Sequence, residues 1–143
     1  MNIACFDVYY YETYAKSCCI IFNKEEQILS QYTVIVEDIE DYEPGKFYKR
    51  ELPCILKALE NVEEKINLII TDSFVLINED RKGLGAHLYD ALECKIPVIG
   101  VAKTFFKDAE NYVEIYRGES TKPLYVSSIG IDLNYSADFK LSS

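Results

Sequence analysis

The stretch Leu68-Ile69-Ile70-Thr71-Asp72 decides how the chain is read. It is a short apolar run that ends on a carboxylate. Such a run reads as a buried strand, and a core has no use for an unpaired carboxylate, so Asp72 belongs at the strand's end, facing a cleft. Working outward, two other segments deliver acids in a similar way. Asn2-Ile3-Ala4-Cys5-Phe6-Asp7 is a second apolar run reaching an aspartate, and Arg50-Glu51-Leu52 sets a glutamate at the head of a helical pattern. Hard divalent cations take oxygen ligands, so three acids from separate elements suit a metal site for Mg²⁺, with Mn²⁺ as the alternative. Each acid alone is equally an ordinary strand end or an acid favoured at a helix start.

The 143 residues suffice for one ordinary domain with one core, spanning 1–143. At 49% hydrophobic and 27% charged, the chain has the composition of a globular domain. No apolar run is long enough to cross a bilayer and the start lacks a signal-type pattern, so a cytoplasmic protein without membrane contact is expected. Five cysteines, none in a C-x-x-C pair, predict buried reduced thiols. With one histidine, a Cys/His zinc site is not expected. A net charge of −9 speaks against non-specific binding to a polyanion, which needs lysine and arginine. Any nucleic-acid role then needs a local basic patch or metal ions. The 12 tyrosines can stack on bases or serve as half-buried strand residues.

Strands are expected at 2–9, 16–23 and 27–36, with short links that make an antiparallel meander. An acidic loop, 37–45, ends in Pro44-Gly45, a turn signal. A helix follows over 47–61, with Leu52, Ile55, Leu56 and Leu59 at helical spacing. Pro53 is tolerated in a first turn, which sets the start near Arg50. A fourth strand at 66–72, a helix at 83–94, a fifth strand at 97–102, and a hairpin of 112–116 with 124–127 complete the pattern. A short helix is expected in 132–140. Strands alternating with helices call for parallel neighbours and a mixed α/β sheet, here five-stranded with flanking helices and an extra C-terminal hairpin. Asp7 and Asp72 are expected on adjacent strands, as in the ribonuclease H-like fold.

The motifs, in their order, resemble the endonuclease V family, metal-dependent nucleases that cut near deaminated purines, chiefly inosine. Asp7-Val8 resembles that family's first-strand aspartate. Tyr42-Glu43-Pro44-Gly45, continuing to Arg50-Glu51, is similar to its tyrosine-x-proline-glycine wedge followed by arginine-glutamate. Asp72, Gly83 and Gly85-Ala86-His87-Leu88 follow at matching spacing. Gly100-Val101-Ala102-Lys103 matches its glycine-valine-alanine-lysine strand end, and Lys122-Pro123-Leu124-Tyr125-Val126-Ser127 its last strand. The chain departs from the family at Ser73-Phe74-Val75, where glycine-histidine-glycine is usual, and at Gly130-Ile131, where a histidine follows the glycine.

The resemblance implies an endonuclease hydrolysing phosphodiester bonds near inosine in DNA or RNA. Asp7, Glu51 and Asp72 would hold the cation, and Lys103 would meet the scissile phosphate as a point charge. Tyr42, Pro44 and Gly45 would form the wedge, Arg50 would contact phosphate, and His87 would line the substrate side or serve structurally. Single-stranded or loosely paired nucleic acid is the expected partner, because extracting a base from a duplex is costly. The alternative is a catalytically impaired relative kept as a nucleic-acid-binding or protein-interaction module.

Overall fold

The structure, a computed structural model, describes residues 1–39, 41, 43–44, 46, 48–73, 75–78 (76–78 by backbone alone), 81–103, 105, 109–116, 118 and 121–133. It divides into two compact units, Met1–Asn67 and Leu68–Ser143.

In the first unit, β1 (Ile3–Tyr10), β2 (Ala15–Phe22) and β3 (Ile28–Val36) form the expected antiparallel meander in the order β3-β2-β1. Asp7 lies opposite Cys18, which lies opposite Thr33. The β1–β2 turn closes through Tyr11 N–H donating to the Tyr14 carbonyl at 2.8 Å, with the two rings stacked 4.7 Å apart. The Asn23 side chain builds the next turn, its Oδ1 accepting from the amides of Glu25 and Gln27.

Helix α1 (Tyr48–Leu59) packs on one face of this meander. It begins before Arg50, so Pro53 sits inside the helix and forfeits the bond its amide would have made to Lys49. The residues nearest the sheet are Cys54, Ile55 and Ala58, while Leu52, Leu56 and Leu59 are only partly buried. Two small side chains bring the helix close to the strands, close enough for Ser17 Oγ to donate to the Cys54 carbonyl at 2.8 Å.

In the second unit, β4 (Leu68–Thr71) and β7 (Val98–Ala102) run parallel, with Thr71 opposite Gly100. The link between them contains a small hairpin, β5 (Leu76–Asn78) with β6 (Arg81–Lys82), which was not foreseen, and then helix α2 (Leu84–Ala91). The C-terminal hairpin, β8 (Val113–Ile115) with β9 (Leu124–Ile129), is no appendage. Strand β9 pairs antiparallel with β7, giving the order β4-β7-β9-β8. All five residues of β7 are buried, and an unpaired edge there would leave backbone groups unsatisfied; β9 supplies their partners. Beyond Leu133, the expected C-terminal helix lies outside the described residues.

All five cysteines are free thiols, but only Cys19 and Cys54 are buried as expected; Cys5 and Cys18 are partly buried and Cys94 is exposed. Burial, first of all, pushes the Cys19 thiol up to about 12. No helix among the described residues is long and apolar enough to cross a membrane.

Candidate active site

Side chains alternate faces along a strand. Tyr10 and, on β2, Ser17 face α1: the Arg50 guanidinium lies 3.6 Å from the centre of the Tyr10 ring, and Ser17 bonds the helix backbone. Asp7 and Tyr9 therefore project from the other face of β1. There the Tyr9 hydroxyl donates to Asp7 Oδ2 at 2.7 Å, and that bond together with the carboxylate's charge holds the phenol above its ordinary value.

Glu51 stays on the helix side, in the first turn of α1, where the helix dipole favours an acid. Its charge reaches Tyr10 and Cys54, raising both after burial, the larger cause; Arg50 opposes it at each. Within the first unit, the structure brings Arg50, Glu51 and Tyr10 together, while Asp7 is bonded by Tyr9. Arg50 Nε is buried and has no hydrogen-bond partner among the described residues. Stacking has oriented the guanidinium without spending that donor.

The wedge is described only in part. Tyr42 and Gly45 lie outside the described residues, and Pro44 is exposed in a turn. Glu43 is bonded by Lys49 at 3.0 Å, with Lys46 at 3.6 Å. Both lysines hold its carboxyl below the usual range, Lys49 most strongly.

In the second unit, Asp72 and Lys103 follow the C-terminal ends of the neighbouring parallel strands β4 and β7, and both are exposed. The C-terminal end of parallel strands is where open α/β sheets carry their sites. The segment after Asp72 is firmly held. A Cβ on Gly100 would stand 2.2 Å from the Ser73 carbonyl oxygen, and one on Gly85 would stand 2.7 Å from Val75 Cγ2. Only glycine at position 100 lets the Ser73 carbonyl come so close to β7, and only glycine at 85 lets Val75 come so close to α2. Ser127 Oγ accepts the Val75 amide at 2.9 Å, and the Val75 carbonyl accepts from Gly83 and Ala86 at the start of α2. Thr71 Oγ1 and Ser73 Oγ, on either side of Asp72, are buried without hydrogen-bond partners among the described residues.

His87 is half-buried on α2. Burial chiefly, then the charge of Lys82, hold its imidazole below the ordinary value, with Asp90 opposing. Lys82 and Asp90 form an ion pair with each other.

The donors suit a hard cation in kind, being carboxylate oxygens, two of them exposed. Among the described residues no three His, Cys, Asp or Glu side chains stand together to hold a metal. Mg²⁺ does not demand such a cage, since it keeps waters and takes one or two carboxylates plus substrate phosphate. The sequence had pointed to Asp7, Glu51, Asp72 and Lys103. It did not reveal Tyr10 beneath Arg50, or Ser127 beneath Val75; the excess of tyrosine after Asp7 was the one available hint of the former.

Residues 1–140 match the endonuclease V family profile. Among curated relatives, the chain is similar to the endonuclease V of Nostoc punctiforme, 34% identical over 61% of this chain and 47% of that protein. It is also similar to that of Streptomyces coelicolor, 33% identical over 68% of this chain and 40% of that protein. The chain thus spans about half the length of the curated relatives it matches. Among solved structures, the endonuclease V of Streptomyces avermitilis superposes with a TM-score of 0.82 at 22% identity, covering 99% of this chain and 72% of that one. Endonuclease V of Ciona intestinalis, in complex with a 24mer DNA containing an inosine followed by a ribo-adenosine, gives 0.81 at 18% identity, covering 98% and 76%. The fold is that of these structures, ribonuclease H-like.

Proposed function

Since the chain belongs to the endonuclease V family, we propose that it is a metal-dependent endonuclease hydrolysing phosphodiester bonds near inosine in single-stranded or loosely paired DNA or RNA. The observation that carries this reading is the family match along residues 1–140. Asp72 and Lys103 at one end of a parallel strand pair support it.

Asp7, Glu51 and Asp72 would hold Mg²⁺ or Mn²⁺. When bound, the cation supplies a nucleophilic water at neutral pH and charge for the leaving oxygen. Lys103, a flexible point charge, binds the scissile phosphate. Arg50, fixed against Tyr10, contacts a phosphate of the same strand with its guanidinium charge. His87, held neutral near pH 7, contributes shape rather than charge to the substrate side.

A second reading is favoured by one observation: no three-acid group stands together among the described residues. In that reading the domain binds nucleic acid without cutting it. Isothermal calorimetry with Mn²⁺ and an inosine-containing single strand separates the two. Millimolar-range Mn²⁺ binding that Asp72→Asn weakens supports the nuclease. Oligonucleotide binding without any Mn²⁺ binding supports the module.

A further inference from the structure

Strand β3 is the outer strand of the first unit. It pairs with β2 on one side, and no strand among the described residues pairs with its other side. Its nine residues, Ile28-Leu29-Ser30-Gln31-Tyr32-Thr33-Val34-Ile35-Val36, contain no charge, proline or glycine. Ile28, Leu29 and Ile35 are 60%, 48% and 49% exposed. Proteins usually blunt such an edge with lysine, proline or a bulge, because its free N–H and C=O groups invite another strand; β3 has a bulge at its start, around Leu29, and pairs in unbroken register with β2 from Ser30 to Val36.

Acids lie beyond both ends, Glu25 and Glu26 before it, next to Lys24, and Glu37 and Asp38 after it, all exposed, while Lys16 of β2 stands opposite Ile35. Two cavities open at its C-terminal end and share Ile35 and Glu37. One, of about 450 Å³, is completed by Thr13 and Tyr14, and the other, of about 320 Å³, by Val36, Asp38 and Lys57.

We infer that β3 receives an extended strand of another protein, apolar or β-branched in its middle and carrying lysine or arginine at its ends. Backbone bonding along β3 supplies the affinity and alternate side chains the specificity, as in strand addition generally. The larger cavity fits a basic end residue: its aliphatic stem lies on Ile35 and its cation between the Glu37 carboxylate and the Tyr14 ring. The net charge of −9 steers a basic segment toward the domain. A second copy fits worse. Symmetric antiparallel pairing about Tyr32 sets Glu26 against Asp38, and parallel in-register pairing sets every acid against itself; like charges so placed are repulsive. The inference does not depend on catalysis.

The test is fluorescence anisotropy of the full chain with a labelled peptide of alternating valine and threonine ending in lysine at both termini. A second peptide ends in glutamate instead. The lysine peptide binds, the glutamate peptide binds at least about tenfold more weakly, and Ile35→Lys or Glu37→Lys with Asp38→Lys weakens the lysine peptide about fivefold. The two peptides on the unaltered protein give an answer even if a variant misfolds. Equal binding of both peptides, or no binding of either at millimolar concentration, overturns the inference. So does a light-scattering mass showing a dimer that Ile35→Lys dissolves, which assigns the edge to a second copy. Displacement of the peptide by an oligonucleotide overturns it too, in favour of nucleic acid.

Discussion

The guanidinium of Arg50 lies on the ring of Tyr10, 3.6 Å from its centre, with its Nε buried and unbonded among the described residues. A long cationic side chain is thereby held in one orientation before any ligand arrives. The contact belongs to the helix face of β1, while Asp7 belongs to the other face. If Arg50 is a phosphate contact, removing its platform should weaken substrate binding. Tyr10→Leu is expected to lower affinity for an inosine-containing single strand about threefold, with Tyr10→Phe near the unaltered protein, since an exposed cation–π contact is worth roughly 0.5–1 kcal/mol. Anisotropy titration in Ca²⁺ at low salt checks this, and equal affinities for the Leu and Phe variants would remove Arg50–Tyr10 from the binding account.

Gly100 holds the Asp72 segment from beneath. Because an added Cβ would meet the Ser73 carbonyl oxygen at 2.2 Å, and backbone cannot swing aside as a side chain can, Gly100→Ala is expected to cost about 1–3 kcal/mol or more. Urea unfolding measures it. A variant as stable as the parent would mean that the Ser73 carbonyl moves freely away from β7.

His87 makes stability depend on acid. Its folded value is depressed by burial and by Lys82, so its contribution is present above the unfolded imidazole value, near about 6.5, and is lost as pH falls through the folded value. The stability difference between the parent and His87→Asn should therefore shrink or change sign as pH is lowered from neutrality to about 5. A difference that does not vary with pH would show an imidazole titrating alike in both states.

Glu43 is paired to Lys49 and Lys46, and removing its charge makes this turn less negative toward phosphate. Glu43→Gln is expected to tighten single-strand binding about two- to fivefold at low salt, with the gain fading as salt screens it. Unchanged affinity at every ionic strength would mean that nucleic acid does not approach this turn.

Much of the fold was legible because apolar runs announce strands: the runs ending near Tyr9, Thr71 and Ala102 became β1, β4 and β7 with ends moved by a residue or two. Asp72 and Lys103 were legible for the same reason, since each follows such a run and parallel pairing brings strand ends together. What eluded the sequence is long-range. The face of β1 that α1 covers depends on register and on where the helix lands, so nothing local told that Arg50 would settle on Tyr10. The Cys54–Ala58 contact face was hidden because leucine spacing draws attention to larger side chains than those that let the helix approach. The pairing of β9 with β7 links residues far apart in sequence, which local pattern does not encode.

The central claim, phosphodiester cleavage near inosine, is tested most directly by incubating the protein with a labelled inosine-containing single strand in Mg²⁺, then Mn²⁺, and resolving products on a denaturing gel. The account predicts one dominant cut near the inosine, absent from the same strand carrying adenine and lost in Asp72→Asn. An intact strand under both ions, from protein that binds that strand, would contradict it and leave the binding module.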